Sequence, residues 1–492
     1  MTAADRARRY TRRMITMGGI GGRYLGRGWQ SAGATYELSS PIDGSHLGQV
    51  ADLGADAAKA AADVAWDAFT TWRKTTPFER AELLAKWQKL MLDHTEELAR
   101  TMSKEMGKPL RESRGEVVYA AGFLGWYAEE AKRIYGEPFP SAAGHKRLLA
   151  IKQPVGPALA ITPWNFPLAM VTRKAAPALA AGCTMILKPA EQTPLSALLL
   201  GDLWLEAGGP EGTLQVLPAA DPVPLTEPLI ADPRIRKLTF TGSTEVGRLL
   251  YRQSADTIKR ISLELGGHAP FLVFEDADLE EAVAQVVASK FRNAGQTCVC
   301  TNRVYVHAKV VDEFTERYAA AVEKLVVGDP LNETTDIGPL VDEQAVAKVS
   351  RHVEDAVARG AEVLTGGERL EGLYYAPTVL KGVARDALIM REETFGPVAP
   401  ISTFEATAEA VGLANASPFG LAAYLYTNDL SRAVRVAAER EYGIVGVTDG
   451  VPSVPYAPFG GVKQSGIGRE GGPWGIEEYL ETKYISMALR KE

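Results

Sequence analysis

The chain predicts an α/β fold built on doubly wound parallel sheets, and three observations carry that prediction. Short apolar runs of strand length alternate with helix-length segments through most of the sequence after residue 150. The runs are continuously apolar, as befits buried strands of a parallel sheet. An Ala-, Glu- and Lys-rich stretch with helical spacing precedes them.

In residues 55–143, Ala65, Ala68, Phe69 and Trp72 recur at i, i+3, i+4 and i+7, which marks a helical region. A strand-like run at 147–153 ends at Pro154. Strands then follow at 158–161, 185–188, 214–217, 237–240 and 261–263, separated by helices at 168–181, 194–207, 224–231 and 244–254. In such a sheet, ligands sit at the carboxyl ends of the strands. A second alternation opens with a strand at 270–274, a helix at 279–291, a strand at 304–307 and a helix at 309–326. Further apolar segments surround Ile401, residues 422–426 and residues 444–447, and a Gly-rich loop leads to a terminal helix and tail. There is no internal repeat.

With 492 residues, the chain has room for roughly two to four domains. Its 54 basic and 61 acidic side chains give a net charge of -7, which offers no basic footprint for nucleic acid. The longest charge-free apolar stretch, 153–172, holds Pro154, Pro157, Pro163 and Pro167, so it is not a membrane span. Three cysteines are too few and too odd in number for a disulfide framework, and they suit a reducing cytoplasm. The Arg-rich opening, residues 1–14, carries Asp5 and lacks Ser, and reads as a frayed, solvated terminus rather than a transit peptide.

The six histidines never cluster at metal-ligand spacing, and no Gly-x-Ser-x-Gly occurs. No metal site is expected. A Gly-x-Gly-x-x-Gly at Gly466, Gly468 and Gly471 follows a loop and has too little chain after it for a dinucleotide-binding unit. The run from Phe240 through Thr241, Gly242, Ser243 and Thr244 to Gly247 follows a strand and opens a helix, where backbone N–H groups favour an anion. A plain capped helix start explains the same run. Around Cys298 the chain is polar and glycine-containing, which favours a reactive thiol over a core cysteine. A free thiol is only a few per cent thiolate at neutral pH, and no histidine lies near in sequence to serve it. Cys183, beside a buried strand, reads as a small core residue.

Seven blocks carry a resemblance. Thr162-Pro-Trp-Asn-Phe-Pro167, Leu187-Lys-Pro-Ala-Glu-Gln192, Phe240-Thr-Gly-Ser-Thr244, Leu263-Glu-Leu-Gly-Gly267, Gly295-Gln-Thr-Cys298, Glu393-Thr-Phe-Gly-Pro-Val398 and Pro458-Phe-Gly-Gly461 resemble the signature blocks of the aldehyde dehydrogenase superfamily, in its order. The likeness runs from about Tyr24 to the end of the chain. It implies two Rossmann-like, doubly wound domains and a small β oligomerisation element. A discontinuous NAD-binding domain would take residues 1–135 and 154–265, a catalytic domain 266–460, and the oligomerisation element 136–153 and 475–492, in a homodimer or homotetramer.

The resemblance also implies roles. Cys298 would be the nucleophile, Asn165 and the Cys298 N–H the oxyanion donors, and Glu264 the general base for thioester hydrolysis. Lys188 and Glu191 would hold the adenine ribose, Gly242 and Ser243 the pyrophosphate, and Glu393 with Phe395 the nicotinamide ribose. Trp164, Thr241 and Leu265 would line the nicotinamide path. Glu191 accepts hydrogen bonds from ribose hydroxyls and repels a 2′-phosphate, which favours NAD over NADP.

On the substrate side, Arg173, Arg292 and Ser453 match the positions that hold a distal carboxylate in the succinate-semialdehyde branch, with Phe166 and Phe459 as apolar walls. His268, Thr448 and Pro455 depart from that branch's usual residues. Glutarate or 2-oxoglutarate semialdehyde has the same end groups as succinate semialdehyde, simple aldehydes are a further alternative, and a non-catalytic binding protein is the rival outside the class. Cys300 would be a resolving partner for oxidised Cys298 across an extended loop, or else a small buried residue.

Overall fold

The computed structural model describes residues 22–490. The Arg-rich opening therefore lies outside the described residues. Among these residues are two large sheets, a three-stranded sheet and two two-stranded ones. The first sheet has a parallel core in the order Leu214–Val216, Met185–Lys188, Ala158–Ile161, Lys237–Thr241, Arg260–Glu264. Met185–Lys188 and Lys237–Thr241 are buried at every position, because helices cover both faces. The strand order reverses between Ala158–Ile161 and Lys237–Thr241, the switch point at whose carboxyl edge an open α/β sheet binds ligands. The segments leaving those two strands carry Trp164 and Asn165 on one side and Thr241, Gly242 and Ser243 on the other.

Helices Ala55–Trp72, Pro77–Asp93, Thr95–Met106 and Leu110–Glu130 fill most of the predicted helical region. The second of them starts at a capping box in which Thr76 and Glu79 satisfy each other's backbone N–H groups. The region ends earlier than predicted: Glu137–Phe139 is an edge strand, a position that tolerates the missing N–H of Pro138. It joins Lys146–Pro154, which pairs antiparallel with the tail strand Leu480–Ala488 over nine residues. The short hairpins before residue 52, Arg23–Gly26 with Gly28–Ser31 and Thr35–Ser39 with His46–Ala51, have no counterpart in the sequence reading.

The second sheet runs Glu362–Thr365, Thr378–Lys381, Val398–Phe404, Thr301–His307, Ala269–Val273, Ala422–Tyr426, Ile444–Val447 and is parallel except at its first strand. The predicted helix 309–326 is shorter, at Val311–Val322, and the helix Glu343–Ala358 was not anticipated. Gly466–Ile467, from the set-aside glycine motif, is an antiparallel edge strand on Arg260–Glu264. It lies in the 461–474 stretch left outside the expected domains and returns the chain to the first sheet. The segment Leu265–His268 links the last parallel strand of one sheet to Ala269–Val273 of the other.

Candidate active site

Cys298 stands on the loop between helix Leu279–Phe291 and strand Thr301–His307. The helix ends abruptly: Asn293 and Ala294 have φ of 51° and 54°, and Gly295 follows at 75°. A side chain at Gly295 would place its Cβ 2.2 Å from the Gly396 carbonyl oxygen, so only glycine fits. The next residues form a turn rather than the expected extended loop, closed by a hydrogen bond from the Cys300 N–H to the Thr297 carbonyl (3.1 Å). The Cys298 N–H enters no hydrogen bond among the described residues, and is available to an oxyanion.

Two cavities, of about 300 and 540 Å³, meet at Cys298 and Met170. Protein surrounds the thiol closely, and burial pushes its pKa up to about 12, with Arg173 opposing. Cys300 opens onto neither cavity. It is fully buried, its Sγ 3.4 Å from the Lys290 Nζ, and it donates to the Lys290 and Thr301 carbonyls. Both thiols are free. The turn sends the two side chains to different surroundings, so Cys300 occupies the small-buried-residue alternative and not that of an accessible resolving partner.

The smaller cavity gathers Phe166, Arg173, Arg292, Ser453 and Phe459. Arg292 Nε, Ser453 Oγ and Arg173 Nη2 are all buried and without hydrogen-bond partners among the described residues. The guanidinium carbon of Arg173 sits 4.0 Å from the Phe459 ring centroid, and that of Arg292 5.4 Å from Phe166. Three unpartnered polar atoms around one small space, whose wall also carries Lys108, Glu112, Glu116 and Tyr119, is an arrangement that costs stability unless a ligand answers it.

The larger cavity is lined by Trp164, Asn165, Thr241, Gly242, Ser243, Leu265, Glu393 and Phe395. Trp164 and Phe395 meet edge to face, 5.6 Å between centroids. Glu393 Oε1 accepts from the Gly267 N–H (3.1 Å), and burial pushes the carboxyl up to about 7 against that hydrogen bond. Ser243 caps helix Thr244–Ser254 by accepting from the Val246 N–H (3.3 Å), so the run is a capped helix start, and it faces a cavity. Lys188 and Glu191 do not line this cavity. They form an ion pair of 3.0 Å, and Glu191 lines an adjoining cavity of about 270 Å³ that shares Val341 with the larger one.

Asn165 Nδ2 donates one hydrogen to the Gln296 carbonyl (3.1 Å), which leaves its second N–H for the space beside Cys298. Glu264 lines neither cavity. It is buried behind them with Oε2 unpartnered, and burial, then the nearby charge of Glu470, raises its pKa well above the carboxylate range.

Glu470 and Lys174 escaped the sequence reading. Glu470 accepts from both Arg173 and Lys174, and Lys174 also donates to Thr241 Oγ1 (2.7 Å), so one buried cluster links the two cavities to the surroundings of Glu264. Burial works against the charge on Glu470, but Lys174 and Arg173 hold its carboxyl below the usual range. The signal was present in Arg173-Lys174, two consecutive bases in the otherwise apolar helix Ala169–Ala181, which is buried throughout and therefore needs a buried carboxylate. A second such group, Lys108, pairs with Glu116 and donates to the Asn165 carbonyl (2.8 Å).

Comparison with known proteins bears on the whole chain. The model of the aldehyde dehydrogenase family matches residues 29–485. The succinate-semialdehyde dehydrogenase [NADP(+)] GabD of Escherichia coli is 53% identical over 459 residues, covering 93% of this chain and 95% of its own. A glutarate-semialdehyde dehydrogenase of Pseudomonas putida is 51% identical over 468 residues, with 95% and 97% covered. The crystal structure of an aldehyde dehydrogenase from Brucella melitensis biovar abortus superposes with a TM-score of 0.94 at 52% identity, covering 96% of this chain and 98% of that one.

Proposed function

The chain belongs to the aldehyde dehydrogenase family, and from that premise we propose that it oxidises an ω-carboxylated aldehyde, succinate semialdehyde to succinate, with a nicotinamide coenzyme. The observation that carries the substrate is the trio of unpartnered buried atoms, Arg173 Nη2, Arg292 Nε and Ser453 Oγ, in the cavity that opens from Cys298. A carboxylate on a short carbon chain would answer all three while its aldehyde end meets the thiol. Glutarate semialdehyde, named for the Pseudomonas putida relative, has the same two ends and is the second reading.

Cys298 Sγ adds to the aldehyde carbon as its proton passes to solvent. The oxyanion that forms takes hydrogen bonds from the second N–H of Asn165 Nδ2 and from the backbone N–H of Cys298. The larger cavity fits a dinucleotide: Gly242 leaves room at a helix start, Glu393 offers a carboxylate to ribose hydroxyls, and Trp164, Thr241, Leu265 and Phe395 wall its inner end. A nicotinamide coenzyme held there would supply the hydride acceptor that turns the thiohemiacetal into a thioester. Glu264, in its ionised form, then takes a proton from the water that attacks the thioester carbonyl and returns it to the departing Cys298 sulfur, while the new carboxyl releases its own proton to solvent and the dicarboxylate leaves.

NAD is the proposed coenzyme, because Lys188 is tied to Glu191 and not free to meet a 2′-phosphate, while Glu191 presents a carboxylate to the cavity that adjoins the larger one at Val341. The Escherichia coli relative's name carries NADP(+), so coenzyme choice is a sharp test. We assign residues 22–135 and 154–265 to the coenzyme-binding unit, 266–460 to the catalytic unit, and the sheet of Glu137–Phe139, Lys146–Pro154 and Leu480–Ala488 to pairing between subunits of a cytoplasmic homodimer or homotetramer. The sheet's largely exposed faces support that role.

The deciding experiment compares reduced-coenzyme formation from succinate semialdehyde, glutarate semialdehyde and butanal, with NAD and with NADP. The expected result is high kcat/KM for the shorter semialdehyde with NAD, and weak activity with butanal. Equal efficiency with butanal defeats the substrate reading, and a preference for NADP defeats the coenzyme reading.

A further inference from the structure

A separate cavity of about 260 Å³ lies at one end of the second sheet, lined by His268, Arg303, Tyr305, Arg385, Met390, Arg391, Leu413, Ala416, Ser417 and Pro418. Its electrostatics are one-sided, with three guanidinium groups and no carboxylate on the wall. His268 is buried to 1% exposure, its ring set against the Met390 backbone with neither ring nitrogen closing a well-formed hydrogen bond among the described residues. Burial also keeps this imidazole neutral, so one ring nitrogen carries a hydrogen to donate.

Arg303 is buried as well, and every acceptor it meets is a neutral oxygen: the carbonyls of His268 (3.0 Å), Leu413 (3.1 Å) and Ala414 (3.0 Å) and the Tyr442 hydroxyl (2.9 Å). Those bonds use four of its five N–H groups and leave its charge unneutralised. Arg385 has one partner carboxylate, Glu409, and Arg391 has no ion pair among the described residues. Nearby Arg440 adds to the imbalance: it is buried with all three guanidinium nitrogens unpartnered. Burial, with Arg303 adding to it and Tyr442 opposing, pushes its pKa down to about 10.

Buried positive charge of this kind is unfavourable unless a counter-charge is supplied, and no side chain lining the cavity supplies it. We propose that this cavity binds a small multivalent oxyanion, a phosphate or a dicarboxylate, at a site separate from the two cavities that meet at Cys298. Arg303, Arg391 and His268 would be its donors, with Arg385 and Ser417 at its edge. The volume suits such an ion and is below that of a typical drug-sized ligand site. The position gives occupancy a route to the active site. His268 directly follows Gly267, whose N–H holds Glu393, and Met390 and Arg391 lie just before Glu393 in the chain. An ion bridging these segments would stiffen the carboxylate that faces the coenzyme cavity.

The test is calorimetric titration of the full chain with inorganic phosphate, with succinate, and with sodium chloride at matched ionic strength, repeated on Arg391→Glu, His268→Leu and Arg292→Ala. It reads binding, so it stands whichever aldehyde the enzyme takes. The expected result is saturable phosphate binding that weakens roughly tenfold or more in Arg391→Glu and is unchanged in Arg292→Ala; succinate, the proposed product, is compared in the Arg292→Ala background, where the binding that is left should weaken likewise when Arg391→Glu is added. Whichever of the two probes binds tighter names the source of the ion. Arg391 is exposed, so its variant folds regardless of what the buried His268→Leu does. Binding no tighter than chloride, or binding lost in Arg292→Ala and intact in Arg391→Glu, overturns the proposal.

Discussion

In the cavity between Cys298 and Ser453, Arg173 Nη2, Arg292 Nε and the Ser453 hydroxyl stand buried without partners among the described residues. In the cavity between Cys298 and Glu393, the Glu393 carboxyl, the Thr241 hydroxyl and the Ser243 hydroxyl are each answered by the protein itself, through Gly267, Lys174 and Val246. The first half is incomplete until an anion enters. The second is already organised and needs only to admit a ligand. Substitutions in the two halves should therefore fail differently, the first through substrate affinity and the second through coenzyme affinity, while the groups between them fail through kcat.

The shared thiol gives the largest effect. Cys298→Ala should remove turnover with every aldehyde, by on the order of 10⁶-fold as for other nucleophile deletions. Coenzyme binding, followed by fluorescence titration, should survive. Next comes Asn165→Ala, expected to lower kcat about 10²–10³-fold, the usual effect of losing one oxyanion donor. If Asn165→Ala weakens coenzyme binding as much as it slows turnover, the division between the halves is wrong. Arg292→Ala should raise KM for the semialdehyde roughly 10–100-fold, the worth of one charge-assisted hydrogen bond, and leave KM for butanal unchanged.

How far the sequence anticipated this site depends on how local each piece is. Cys298, Asn165 and Glu264 sit in short, glycine- or proline-marked runs whose residue types announce a turn or a strand end, so they were legible. The five parallel strands of the first sheet were legible because burial on both faces leaves continuous apolar runs. The hairpins between Arg23 and Ala51 were not, since their strands are half-exposed and alternate weakly. Glu470 was hidden for another reason: its partners Arg173 and Lys174 lie 297 and 296 residues away, and nothing in the set-aside glycine motif around it marks it as their counter-charge. Periodicity carries no information about a charge pair formed across that distance. The Thr297–Cys300 turn was not legible, because the redox alternative for Cys300 assumed an extended loop; the turn instead sets Cys300 as a buried neighbour of Lys290, the other alternative.

Reactivity of the thiol tests how enclosed the meeting point of the halves is. With its pKa pushed up to about 12, Cys298 is overwhelmingly thiol at neutral pH. The thiolate fraction, and with it the rate of alkylation by iodoacetamide, should climb about tenfold per pH unit between 7 and 9 in the coenzyme-free protein. A rate that levels off near pH 8 would place the thiol in a far more open setting.

The smallest expected effect belongs to the self-satisfied half. Glu393 has its carboxyl pushed up to about 7, so above that pH it is a carboxylate and accepts from ribose hydroxyls, and below it the proton removes an acceptor. Coenzyme should bind a few-fold more weakly as pH falls from 8 to 6, because only one of several contacts is lost. Glu393→Gln keeps the shape and one oxygen but cannot ionise, so it should bind at the weaker, low-pH level throughout and show no such pH dependence. The titration separates the halves cleanly, since Arg173, held charged by Glu470, does not titrate in this range and substrate affinity should not follow the same curve. A pH dependence that persists in Glu393→Gln would move the titrating group elsewhere, and with it the claim that this half is organised around Glu393 and Gly267.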